Sequence, residues 1–95
     1  MHSMINLQHL KFFYDTVILK SVSEAANKNF VTQSTISQGI SKLEKTLGIL
    51  LVTHSRSHFQ ITQEGMVVFE HARSIFKSLQ AIHEEIHRGM GHVGG

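Results

Sequence analysis

The chain has 95 residues, 41% of them hydrophobic, which suits one small domain with a modest core and excludes a disordered tail. It contains no cysteine, so neither a disulfide framework nor a thiolate zinc site is available, and that usage suits a reducing cytoplasm. Net charge is only +2, but its placement is uneven: between Lys20 and His58 stand Lys20, Lys28, Lys42, Lys45 and Arg56 against Glu24 and Glu44 alone, which on charge alone suits either a face for a polyanion or an ordinary lysine-decorated surface. His54 and His58 add charge below neutral pH. The opening "MHSMINLQHL" lacks a basic segment followed by an apolar run, so no signal peptide is expected. The longest apolar runs, such as residues 49–52, are too short to span a bilayer. A cytoplasmic protein with no membrane partner is the expectation.

Asn6 can cap a first helix running to about Lys20, with Leu7, Leu10, Phe13, Tyr14 and Val17 as its apolar stripe. In "SVSE", Ser21 and Glu24 match a capping box that opens a second helix through about Asn29. Val22, Ala25 and Ala26 are its buried residues, and the two small alanines allow another helix to approach closely. Phe30 and Val31 make a short apolar turn. Thr32 caps a third helix, and Gly48 supplies its left-handed stop. "LLVTH" then reads as a strand, "SRSH" as a turn and "FQIT" as the returning strand of a hairpin. Thr62 can cap a long fourth helix. Along it Val68, Ala72, Ile75, Leu79, Ile82 and Ile86 are spaced 4, 3, 4, 3, 4; a core-facing helix also uses such spacing, but the favoured reading is an a/d seam for pairing with the same helix of a second copy. Phe69 and Phe76 flank that seam and are expected to pack on the rest of the domain. A helix of about 25 residues, roughly 37 Å long, exceeds what so small a body can cover. "GMGHVGG" closes the chain as a flexible glycine-rich end.

The third helix poses a question. Ile36, Ile40, Leu43 and Leu47 give it one apolar side. Its other side opens with Gln33, Ser34, Thr35, Ser37, Gln38 and Ser41, short groups that both donate and accept hydrogen bonds. A solvated helix usually carries Glu and Lys pairs there, and a merely soluble serine-rich face is the plainer alternative. Base edges in the DNA major groove offer the matching mixture of donors and acceptors, and Gln can bond adenine at two positions. The helix N-terminus favours a nearby phosphate. Helix, helix, helix, hairpin and long helix is the order of a winged helix-turn-helix: a mainly α fold with a three-helix core, a β-hairpin wing and a dimerisation helix. The expected organisation is a DNA-binding domain over residues 6–62, a dimerisation helix over 63–88 and a flexible end over 89–95.

"NLQHLKFFYDTV", "SVSEAANKNFVTQSTISQGISKLEKTLGILL" and "ITQEG" together resemble the N-terminal domain of LysR-type transcriptional regulators. The resemblance covers about residues 6–79. It rests on an ordered set: Ala25 and Ala26, Thr32-Gln33, Ser37, Leu43-Glu44, Leu47-Gly48, and Thr62 with Gly65. It implies a winged helix dimer joined through the fourth helix. It further implies base contacts from Gln33, Ser34, Ser37 and Gln38, with Thr35 and Ser41 close to that face, and a phosphate contact from Ser23. The wing corresponds to residues 54–58. Backbone contacts are expected from Ser23, Thr32, Ser41, Lys42, Arg56 and His58. The partners implied are double-stranded DNA carrying an inverted repeat and a second copy of the chain. The large inducer-binding domain normal for such regulators is not expected here, whether the chain is a fragment or a natural short form.

Three departures bear on specificity. The family usually has proline at the place of Ser34 or Thr35, and this chain has none. Gln38 stands where arginine is usual, which shifts the expected half-site toward A·T. The wing "HSRSH" holds one arginine where several are usual, which should weaken binding and flatten its salt dependence. Gly39, in mid-helix, costs roughly 1 kcal/mol against alanine with no reason visible in the sequence.

"HEEIH", residues 83–87, matches the H-E-x-x-H pattern, in which His83 and His87 would bind zinc and Glu84 would act as base. A catalytic zinc needs a third protein ligand. His92 is spaced one residue off the extended pattern, and no chain remains to build a cleft. No catalytic residue, metal or cofactor is therefore expected. A dimerisation module with a degenerate DNA face is the competing reading, and salt-dependent binding to duplex DNA separates the two.

Overall fold

The computed structural model describes residues 4–55 and 58–88; for His54, Ser55 and His58 it describes the backbone alone. Arg56 and the glycine-rich end therefore lie outside the described residues. The chain forms α1 (Leu7–Leu19), α2 (Val22–Asn29), α3 (Gln33–Leu47), β1 (Val52–Ser55), β2 (His58–Ile61) and α4 (Gln63–Arg88). The winged helix-turn-helix order expected from the sequence is the order found.

Side chains fix the helix starts, each by accepting an otherwise free backbone N–H. Asn6 accepts from His9, Ser21 from Glu24 and Thr32 from Thr35. Lys20, Phe30 and Gly48 end the first three helices in the left-handed region. Thr62 Oγ1 accepts from the Gly65 N–H at 2.8 Å and donates to the Leu50 carbonyl at 2.7 Å, which ties the start of α4 to the chain ahead of β1.

The core gathers around α1, which packs on α2, α3 and α4 at once. Leu10, Phe12 and Phe13 meet Ala25 and Ala26 of α2, Ile36, Ile40 and Leu43 of α3, Leu51, and Phe69 and Ala72 of α4. A helix covered from several sides buries a broader arc than one stripe. Phe12, Asp15 and Thr16 are buried although the expected stripe omitted them, and Leu7, included in it, is exposed. Tyr14 lies between Phe69 and Phe76, with ring centroids 5.2 and 5.3 Å away, so both phenylalanines pack on the body as expected.

Gly39 has its reason here. A Cβ at this position would lie 2.7 Å from Phe12 Cδ2 and 3.3 Å from His9 Cδ2. Its lack of a side chain lets α1 and α3 close on each other, which outweighs its poor helix propensity.

Asp15 is a buried charge with three partners. Lys11 Nζ lies 2.7 Å from Oδ2, Asn29 Nδ2 donates to Oδ2 at 2.9 Å, and Lys28 Nζ lies 3.4 Å from Oδ1. Burial by itself would raise its pKa. The hydrogen bonds from Lys11 and Asn29, with the charges of Lys11 and Lys28, outweigh it and hold the carboxyl below its ordinary value. The cluster fastens the end of α2 to α1.

Candidate nucleic-acid interface

Buried Ile36, Gly39, Ile40 and Leu43 set the roll of α3. That roll leaves Gln33, Ser34, Thr35, Ser37, Gln38, Ser41 and Lys42 exposed on the opposite side. Gln38 Nε2 donates to Ser34 Oγ at 3.2 Å, one turn back, and the Thr32 and Thr35 hydroxyls are 3.0 Å apart. These weak, exposed links can be exchanged for other partners at little cost. Ser23 is exposed near the start of α2. One continuous outer face thus carries the expected base-contact residues with Thr32, Ser41 and Lys42.

The hairpin stands beside this face. Ser37, Ser41 and Glu44 of α3 border a cavity of about 170 Å³, closed on the other side by Val52 and Phe59. The strands pair antiparallel with Val52 opposite Ile61 and Ser55 opposite His58. β1 therefore begins two residues later than "LLVTH" suggests. The cause is Glu44, whose Oε2 accepts the Leu51 N–H at 2.8 Å and the Val52 N–H at 3.3 Å. The Leu51 carbonyl in turn accepts the Thr62 N–H at 3.0 Å. A side chain of α3 thus occupies the Leu51 N–H, the donor that would otherwise extend the ladder. The family-like Leu43-Glu44 step was visible in the sequence, but this role needed the fold. Gly65 also gains a role: a Cβ there would collide with the Leu51 carbonyl.

The a/d seam of α4 divides in space. Ala72 is buried in the chain's own core, at the floor of an apolar groove that Val68 and Ile75 also line. Val68 packs partly on the core. Ile75, Leu79, Ile82 and Ile86 are 37–56% exposed. Ile5, Val67 and Ile75 border this groove, of about 210 Å³, beside them. His83 and His87 also ride on this free end, with ring centroids 4.3 Å apart, and Gln80 Nε2 donates to the Glu84 carboxylate at 3.0 Å. Among the described residues, no three metal-ligating side chains converge. None of the described helices is long and apolar enough to cross a membrane.

This geometry has close counterparts. Residues 7–66 match the family of bacterial regulatory helix-turn-helix proteins, lysR family. The chain is 35% identical over 80 residues to the HTH-type transcriptional regulator EstR of Acinetobacter baylyi, an alignment covering 84% of this chain and 27% of EstR. It is 28% identical over 78 residues to the transcriptional activator protein LysR of Escherichia coli, covering 82% and 25%. The chain thus spans about a quarter of the length of these curated relatives. Among solved structures, the BenM DNA-binding domain in complex with catB site DNA superposes with a TM-score of 0.77 at 28% identity, over 88% of this chain and 97% of that one. The CbnR DNA-binding domain in complex with DNA gives 0.77 at 25% identity, over 92% and 99%. A family match over more than half of the chain, a shared winged fold and an exposed hydrogen-bonding helix agree, and the chain belongs to the LysR family as a helix-turn-helix DNA-binding domain.

Proposed function

We propose that the chain reads a specific inverted repeat in double-stranded DNA as a homodimer joined through α4, in the cytoplasm of a bacterium, and thereby regulates transcription. The observation that carries this reading is the exposed run of uncharged hydrogen-bonding groups from Gln33 to Gln38 on α3, backed by buried Ile36, Gly39, Ile40 and Leu43. Gln33, Ser34, Ser37 and Gln38 read base edges, and Thr35 supplies a methyl contact. Ser23, Thr32, Ser41, Lys42, Arg56 and His58 position the phosphate backbone. Ile75, Leu79, Ile82 and Ile86 form the dimer seam, with Val68 at its inner end. Half-sites spaced by whole helical turns follow from two α3 helices on one DNA face.

Selection from randomised duplex DNA at physiological salt tests the reading, with the retained sequences read out. An enriched inverted repeat is expected, with adenine at the position facing Gln38. Binding without enrichment, fading only with salt, would leave a dimerisation module with a nonspecific DNA surface. On the enriched site, Gln33→Ala is expected to cost about 1 to 3 kcal/mol and relax the preference at its position. Equal losses on every sequence would remove Gln33 from the base readers. Arg56→Ala should weaken all sequences alike and lower the salt slope by about 1. An unchanged slope would strike Arg56 from the phosphate contacts.

A further inference from the structure

Phe30 is the most exposed large apolar side chain among the described residues, at 94%, and its backbone is left-handed, with φ of 57°. Left-handed backbone costs an L-residue roughly 1 to 2 kcal/mol, and glycine or asparagine ends a helix there without that cost. Phenylalanine at this place thus brings strain and gains no burial within the chain. Strain kept without a packing return points to function.

The position says which function. The Phe30 N–H donates to the Asn27 carbonyl and the Val31 N–H to the Ala26 carbonyl at 3.0 Å, so the turn is pinned on both sides of the ring. Val31 packs inward on the core. Phe30 lies two residues before Thr32, the cap of α3, which places its Cα no more than about 7 Å from the helix entrance. A helix about 10 to 12 Å across fills a major groove about 12 Å wide, so a group just ahead of its N-terminus meets the groove wall. Deoxyribose carbons and thymine methyls are the apolar atoms of that wall.

We propose that Phe30 is an apolar DNA contact, seated against the deoxyribose or thymine-methyl surface at the edge of the half-site entered by α3. The proposal rests on the DNA-reading function above. It predicts opposite changes in two properties. Phe30→Asn should raise the melting temperature by a few degrees, because asparagine tolerates the left-handed turn. The same change should weaken binding to the selected site by roughly tenfold, the loss that corresponds to uncovering some 50 to 60 Å² of apolar surface. Phe30→Tyr keeps the ring and should keep most of the affinity.

The experiment measures melting and duplex affinity for the unsubstituted chain, Phe30→Asn, Phe30→Tyr and Gln33→Ala, with deoxyuridine replacing thymidine at each half-site edge in a second set of duplexes. A stable Phe30→Asn with weakened binding upholds the proposal. In that case sensitivity of the unsubstituted chain to deoxyuridine assigns the contact to a thymine methyl, and insensitivity assigns it to the sugar. Unchanged affinity in Phe30→Asn, with Gln33→Ala still impaired, overturns it and points to a protein partner for the ring. Failure of the unsubstituted chain to bind any duplex overturns the DNA reading itself and Phe30 with it.

Discussion

Asp15, Gly39 and Phe12 are residues whose roles the sequence hid. An aspartate in an amphipathic helix reads as solvated, and nothing local shows that Lys28 and Asn29 of the next helix return to it. Its depressed pKa has a definite sign. The stabilisation is fully present above the ordinary value of 3.8 and is lost as pH falls through the lower folded-state value. Asp15→Asn should cost about 1 to 3 kcal/mol at neutral pH and should flatten the fall in stability below pH about 4. Denaturant titrations of both proteins between neutral and acid pH check this, and parallel curves would remove Asp15 from the acid response. Gly39 showed only its cost in the sequence, because the reason sits on another helix. Gly39→Ala gains helix propensity but drives a methyl into the nearly immovable Phe12 ring. A net loss of about 1 to 2 kcal/mol is expected from thermal melting.

At the scale of elements, caps and punctuation carried most of the information. Asn6, Ser21, Thr32, Gly48 and Thr62 act where their chemistry placed them, because capping is settled within three or four residues. The exposed polar face of α3 was legible for a similar reason: the helix separates its polar and apolar sides at helical period. The start of β1 was not legible, since it depends on Glu44 reaching seven residues along the chain to the Leu51 N–H. Glu44→Ala would leave that buried amide without its acceptor at a cost of about 1 to 3 kcal/mol. Hydrogen exchange at Leu51 and Val52 should accelerate more than at the core of α3. Equal acceleration everywhere would make Glu44 a general stabiliser and not the anchor of the hairpin.

At the scale of the whole molecule, the chain measures 56 × 34 × 20 Å, because α4 runs on past the body. Phe69, Ala72 and Phe76 are its anchors, and from Ile82 to Arg88 every residue is exposed. The heptad spacing foresaw a helix longer than its support. It could not separate Ala72 from the outward residues, since core-facing and partner-facing helices share that spacing. If a second copy covers the seam, Leu79→Glu with Ile82→Glu should yield a folded monomer in sedimentation with faster exchange beyond Ala81. A dimer that survives both changes would move the interface elsewhere. The crossing of α1 and α3 at Gly39 reaches further than the stability of one chain. Position 39 can accept a methyl only where position 12 gives up ring volume, so descendants of this gene should change the two sites together or neither. Phe12→Leu combined with Gly39→Ala, losing less than the two single changes added, would reproduce that inherited coupling in one protein.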